Sequence, residues 1–114
     1  MHETRYIAIA DDHAMFRKGL SVLINLFPGY TVLFDAANGR ELTEKINPAQ
    51  LPDIVLMDIS MPEMDGYATT EWLRNNYPAI KVLALSTMDA ETAIIKMVKV
   101  EPKAMYLKMQ TQQN

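Results

Sequence analysis

The sequence predicts an α/β domain in which a parallel sheet carries helices on both faces, the doubly wound arrangement. Short, nearly continuous apolar runs at residues 6–10, 30–36, 53–57 and 80–85, with a strand-like piece at 104–108, suit strands buried on both sides. Segments with apolar residues at helical spacing lie between them, bounded by capping and breaking residues. Polar residues end the runs, so chemistry-bearing side chains collect at one end of the sheet. With 114 residues and 49% apolar composition, the chain has room for one domain and one core, spanning residues 1–114.

In chain order, residues 1–5 are a polar lead-in and the first strand, 6–10, stops at Asp11-Asp12. From His13 to Leu26, Phe16, Leu20, Leu23 and then Phe27 recur at helical spacing; Asp12 is placed to cap this helix and Pro28-Gly29 stops it. The second strand, 30–36, has Asp35 near its end. Asn38-Gly39 opens a short helix that carries Leu42 and Ile46 and ends before Pro48. The third strand, 53–57, delivers Asp58 to the rim. Pro62 then forces an irregular loop, and a helix capped by Asp65 runs from Gly66 to Asn76 with Ala68, Trp72 and Leu73 inward. Tyr77-Pro78 closes it. The fourth strand, 80–85, is apolar except for Lys81 and ends in Ser86-Thr87. Asp89 caps a fourth helix through Ile94, Met97 and Val98, ended by Pro102, and the last strand-like piece terminates in Lys108.

Helices on both faces require the strand order to reverse once, most naturally between the first and third strands. The expected order is 2-1-3-4-5, with a crevice above the ends of strands one and three. Asp11, Asp12 and Asp58 all stand at that crevice.

Composition narrows the function. A net charge of −3 gives no basic field, so this segment is not expected to contact nucleic acid directly. The absence of cysteine removes disulfides, thiolate catalysis and Cys-based zinc sites. The first apolar run is too short for a signal peptide or a membrane span, so a cytoplasmic protein with no membrane contact is expected. The nine methionines read as soft fillers of a small core more readily than as a binding surface.

Singly, the rim residues are ordinary: Asp12 as a helix cap, Asp58 as a turn residue, Ser86 as a cap, Lys108 as a solvated strand end. Jointly they place an acid pair, an acid, a hydroxyl and an amine on one rim. At roughly 4 Å and an effective dielectric of about 20, each pair of like charges costs on the order of 4 kcal/mol, so crowded carboxylates need a cation or must hold protons. A hard divalent ion answers this, and Mg2+, with one or two carboxylates plus phosphate oxygens, is the best chemical match. Such an ion neutralises an incoming phosphoryl group and leaves one carboxylate free as nucleophile, while Lys108 and Ser86 hold the other phosphoryl oxygens. The rim therefore reads as an aspartyl-phosphate site.

These residues, with the run Leu56-Met57-Asp58-Ile59-Ser60-Met61-Pro62-Glu63-Met64-Asp65-Gly66, the strand end Leu85-Ser86 and Tyr106-Leu107-Lys108, resemble the receiver domain of two-component response regulators over residues 5–108. The resemblance implies a flavodoxin-like three-layer α/β/α sandwich. It implies that Asp58 accepts a phosphoryl group from a sensor histidine kinase, that Asp12 ligates Mg2+ directly, that Asp11 assists through water or a weaker contact, and that the Ser60 carbonyl is a further ligand. Ser86 is then the hydroxyl that moves onto the phosphoryl group and Lys108 its ion-pair partner. The wording around Asp12-His13 and Leu85-Ser86 is similar to NarL/FixJ (LuxR-type) receivers, whose full-length proteins carry a helix-turn-helix DNA-binding output domain. On that pattern strand four, helix four and strand five form the readout surface, and the receiver catalyses nothing beyond its own phosphorylation and dephosphorylation.

The chain departs from the family at several places. Met105 occupies the position of the usual switch residue, residues 100–104 lack the small turn before strand five, and Met109 follows Lys108. Only six residues follow that lysine, so the fifth helix is expected to be missing or vestigial. The expected forms are a marginal monomer, a homodimer that covers the gap, or a piece of a longer protein. Two other classes compete. A haloacid-dehalogenase-type phosphatase needs a second aspartate two residues after the first, where Ser60 stands. A receiver without phosphorylation, working purely as an interaction module, would not need every acidic, hydroxyl and amine position filled.

Overall fold

The computed structural model describes residues 4–85 and 90–99. The apolar runs form strands β1 (Arg5–Ala10), β2 (Tyr30–Ala36), β3 (Ile54–Met57) and β4 (Lys81–Ala84). They pair in parallel in the order β2-β1-β3-β4, which contains the expected reversal. The expected fifth strand, with Met105 and Lys108, lies outside the described residues, as do Ser86 and the proposed cap Asp89. Helices α1 (Ala14–Leu26), α2 (Gly39–Lys45), α3 (Gly66–Asn76) and α4 (Ala90–Lys99) cover the sheet.

Because side chains alternate across a strand, the sheet divides the core in two. Ile7 and Ile9 of β1, Ile54 and Leu56 of β3 and Leu85 pack with Leu20 and Ile24 of α1 and Ala93 and Met97 of α4. On the opposite face Ala8, Ala10, Val55 and Met57 pack with Leu42 of α2 and Leu73 of α3. The alanines of β1 share a cluster with α2 and α3, and its isoleucines share one with α1 and α4. Of the apolar area here, burial is worth about 25 cal/mol per Å2, and the fully buried β1 and β3 side chains carry much of it.

Helical phase is where the structure corrects the sequence reading. In α1 the buried pair is Leu20 and Ile24, whereas Leu23 is 43% and Phe27 40% exposed. In α3 the inward residues are Gly66, Thr69 and Leu73, with Trp72 half-buried and Ala68 exposed. Asp12 does not cap α1: the N-cap is His13, without a side-chain capping bond. The caps Asn38 and Asp65 form as expected, accepting the N–H groups of Glu41 at 2.8 Å and Ala68 at 2.9 Å.

One irregularity decides where a charged side chain points. The β1–β2 register slips between Ile7 and Ala8, whose partners are Val32 and Phe34, so Leu33 is an extra residue in β2. A one-residue slip moves all that follows to the other face. Asp35 is consequently paired with Ile9 and shares the face of α1.

Candidate functional site

The strand ends build the rim through an extension of the sheet ladder. Asp11 N–H donates to the Ala36 carbonyl at 3.0 Å, and Asp58 N–H to the Ala10 carbonyl at 2.8 Å. The backbone that carries one acid is thereby tied to the strand that carries the other. Asp11 and Asp58 are buried, at 4% and 6% exposure, among the few buried polar residues of the described chain. Ligand atoms of Asp11, Asp12, His13 and Asp58 all lie within 4.8 Å of one another.

Burial and charge together push the Asp58 carboxyl above its ordinary value. Desolvation is the main cause, and the neighbouring Asp11 and Asp12 carboxylates add to it. A weak hydrogen bond from Ser60 N–H to Asp58 Oδ1, at 3.3 Å, works in the opposite direction. Ser60 itself is exposed, just past the strand end.

The loop that follows is held tightly. Gly66 N–H donates to the Ile59 carbonyl at 2.9 Å, and a Cβ on Gly66 would run into the Asp58 carbonyl and the Ile59 Cα. Only glycine lets α3 start so near the acid without displacing it. Between them, Met64 N–H reaches the Pro62 carbonyl at 2.7 Å across Glu63, which adopts φ 71°. This is a γ-turn with a non-glycine residue in the left-handed region, a conformation that costs of order 1–3 kcal/mol.

On the other side of the crevice, Asp11 Oδ1 accepts the His13 N–H at 2.7 Å and faces His13 Nδ1 at 3.1 Å. That nitrogen is also 3.2 Å from Asp12 Oδ1. The hydrogen bond to Asp11, and then the charges of both aspartates, raise the His13 pKa above its ordinary value. Since Asp11 takes the His13 N–H, Asp12 is released from capping and its carboxylate is left at the rim. Arg17, one turn into α1, braces this turn: its Nη1 donates to the Asp11 carbonyl at 2.6 Å and its Nε to Asp35 Oδ1 at 3.0 Å.

The structure thus brings together Asp11, Asp12 and Asp58, and sets Ser60 beside them. Ser86 and Lys108 lie outside the described residues. His13 and Arg17 are rim residues that the sequence does not single out: His13 stands directly after the acid pair, and Arg17 falls among the polar positions of a helix. A set of carboxylate oxygens, two of the residues buried, is the chemistry of a hard-cation site, and without a cation it is self-repelling. The residues fit a divalent ion. No helix of the described residues is long and apolar enough to cross a membrane.

Comparison with known proteins agrees with this geometry. A family model described as the response regulator receiver domain matches residues 7–114. The chain is 38% identical over 105 residues to the transcriptional regulatory protein DegU of Brevibacillus brevis, covering 90% of this chain and 43% of that protein. It is 35% identical over 103 residues to the oxygen regulatory protein NreC of Staphylococcus epidermidis, covering 90% and 47%. The chain therefore spans under half the length of these two curated relatives. Among solved structures, the signal receiver domain of a putative NarL from Mycobacterium tuberculosis superposes with a TM-score of 0.68 at 30% identity, covering 85% of this chain and 77% of that one. A LuxR-family two-component response regulator from Aurantimonas gives 0.68 at 31%, covering 80% and 69%. The fold is the flavodoxin-like receiver fold, and the chain belongs to the response regulator receiver domain family, the phosphorylation-activated switches of two-component signalling.

Proposed function

We propose that Asp58 is the phosphoacceptor of this receiver, that Asp11, Asp12, Asp58 and the Ser60 carbonyl hold Mg2+, and that the donor is a phosphohistidine of a sensor kinase. The observation that carries this is the buried Asp58 carboxyl at the end of β3, facing two further aspartates from the end of β1. In the transfer, an Asp58 Oδ bonds to phosphorus, the N–P bond of the phosphohistidine breaks, and the released imidazole nitrogen takes up a proton. When bound, the ion screens the carboxylates from each other and from the incoming phosphoryl oxygens. Asp11 and Asp12 position it, the Asp58–Ala10 ladder bond fixes the nucleophile, and Gly66 and the γ-turn keep the α3 entrance clear of the attacking carboxylate.

Ser86 and Lys108 are the proposed hydroxyl and amine that meet the phosphoryl group, so the added charge at β3 is read by β4 and α4. The switch moves only by the differential interaction of the phosphoryl group with two states. In the parent protein we assign the readout to a DNA-binding output domain that controls transcription.

The test is incubation of the chain with a small phosphodonor and Mg2+, followed by intact-mass measurement. A gain of one phosphoryl group that disappears in Asp58→Asn is expected. Continuous turnover of donor without a labelled protein would indicate a phosphatase, and no gain would indicate a pure interaction module.

A further inference from the structure

We propose that the outer face of α1 is a homodimer interface, on which a second copy of this chain packs its own α1 antiparallel across a two-fold axis.

Exposure is the first argument. Five of the seven large apolar side chains left exposed among the described residues, Met15, Val22, Leu23, Leu26 and Phe27, belong to α1 and its C-cap. Met15 is 91% and Leu26 75% exposed, while the inner side of the helix is filled by Leu20 and Ile24. With ordinary side-chain areas this amounts to on the order of 500 Å2 of apolar surface on one helix, as much as the largest patch on a typical monomer. Two copies would bury at most roughly 1,000 Å2 in all, the lower bound of a specific interface, so the area fits a reversible dimer of micromolar strength.

Spacing is the second argument, and it selects a second copy as the occupant. Met15, Gly19, Val22 and Leu26 follow one another at intervals of four, three and four residues, so they form one stripe along the helix. That series reads the same from either end. A reversed copy therefore meets it in register, Met15 opposite Leu26 of the second copy and Gly19 opposite its Val22. A two-fold contact needs this self-complementarity, whereas a parallel copy would set Met15 on Met15 and glycine on glycine. No charge lies within the stripe; Lys18 and Asn25 flank it on one side, Leu23 and Phe27 on the other. Lys18 stands level with Leu23 of the second copy, so the two lysines are about five residues or 7.5 Å apart along the axis, near one Debye length at physiological salt.

The third argument is Gly19, which the packing of its own chain does not explain. It lies inside α1, where glycine is less favourable than alanine, yet a Cβ there would meet nothing within 4 Å. Its φ is not positive either, since Gly29 is the glycine with that conformation. A helix seated on the stripe gives the glycine a use: the missing side chain lets two axes close toward about 8 Å and leaves room for Val22 of the second copy.

Sedimentation velocity from about 1 µM to about 1 mM reads the association, and none of it depends on phosphorylation or metal. A monomer–dimer shift is expected in the native chain. It is lost in Leu26→Glu and weakened about tenfold in Gly19→Ala by overpacking, although Gly19→Ala should melt at a higher temperature. Both positions are exposed, so the monomer keeps its fold, checked by circular dichroism. Because the chain has no cysteine, engineered disulfides report the geometry. Mixing Met15→Cys with Leu26→Cys under oxidation should give a cross-linked pair, and neither variant alone should. In the antiparallel register the two copies of residue 15 lie about eleven residues or 16 Å apart along the axis, beyond the reach of a disulfide. A chain that stays monomeric to about 1 mM, or a Leu26→Glu variant that dimerises like the native chain, overturns the proposal. Cross-linking of Met15→Cys to itself without a mixed product overturns the antiparallel arrangement.

Discussion

Asp58 is the side chain on which burial and charge act together. Its carboxyl is raised in the folded chain above the ordinary 3.8, first by desolvation and then by Asp11 and Asp12. The native state therefore holds a proton that the unfolded chain releases. The resulting stabilisation is fully present below the ordinary value and is lost as pH rises through the folded one. At neutral pH the charged side chain opposes folding. Asp58→Asn should accordingly raise the melting temperature in metal-free buffer near pH 7, by roughly 4–8 °C if the relief is about 1 kcal/mol in a domain of this size. The gain should shrink as the pH is lowered toward 4. Equal melting curves at neutral pH would show that the three acids do not strain one another. The three aspartates were legible in the sequence because each ends an apolar run. His13 was not, since its role depends on a turn in which Asp11 takes its backbone N–H, and no periodicity records that.

At the scale of elements, the clamp between α1, β1 and β2 carries the site. Arg17 bridges the Asp11 carbonyl and Asp35, and it reaches both only because the extra residue Leu33 turns Asp35 toward α1. Removing Arg17 leaves a carbonyl and a carboxylate without their donor, so Arg17→Ala should cost about 2 kcal/mol. A double-mutant cycle of Arg17→Ala and Asp35→Ala should show coupling of about 1 kcal/mol in denaturant unfolding. Arg17→Lys should recover part of it, since an amine reaches one acceptor but does not fork between two. Additive single-mutant effects would mean that the pair is not a clamp. The bulge left no trace in the sequence, where β2 is apolar almost throughout. The phase of α1 is ambiguous for a related reason: Met15, Val22, Leu23, Leu26 and Phe27 are also apolar although they stay partly or largely exposed, so several helical faces fit the sequence equally well. In α3 the inward Thr69 was passed over for Ala68; its Oγ1 donates to the Asp65 carbonyl at 2.7 Å, which makes a buried hydroxyl tolerable.

At the scale of the molecule, the alternation of strands and helices announced both the parallel sheet and the reversal that sets Asp11 and Asp58 side by side. It did not announce which face α4 covers. Ala93 and Met97 seat α4 beside α1, and on the opposite side, among the described residues, a groove next to α3 is lined by Met57, Val82, Ala84, Thr70 and Arg74. An amphipathic helix fits any apolar surface, so only tertiary packing decides this. The rim links the fold to its ligand by mass action: an ion that binds only the folded chain stabilises it by RT ln(1 + c/Kd), with c the free ion concentration. Mg2+ at about 100 times its dissociation constant should add about 2.7 kcal/mol to the native chain and distinctly less to Asp58→Asn, checked by melting curves across a metal titration. An equal rise in both would place the ion elsewhere.

On the proposed function, the acyl phosphate forms on one particular carboxylate. Borohydride reduction after treatment with a small phosphodonor and Mg2+ converts this mixed anhydride to homoserine, which peptide mass spectrometry locates by residue. Homoserine is expected at position 58, and none when Mg2+ is withheld. Label at Asp11, Asp12, Asp53 or Asp65 instead, or no label in the presence of donor and metal, would contradict it.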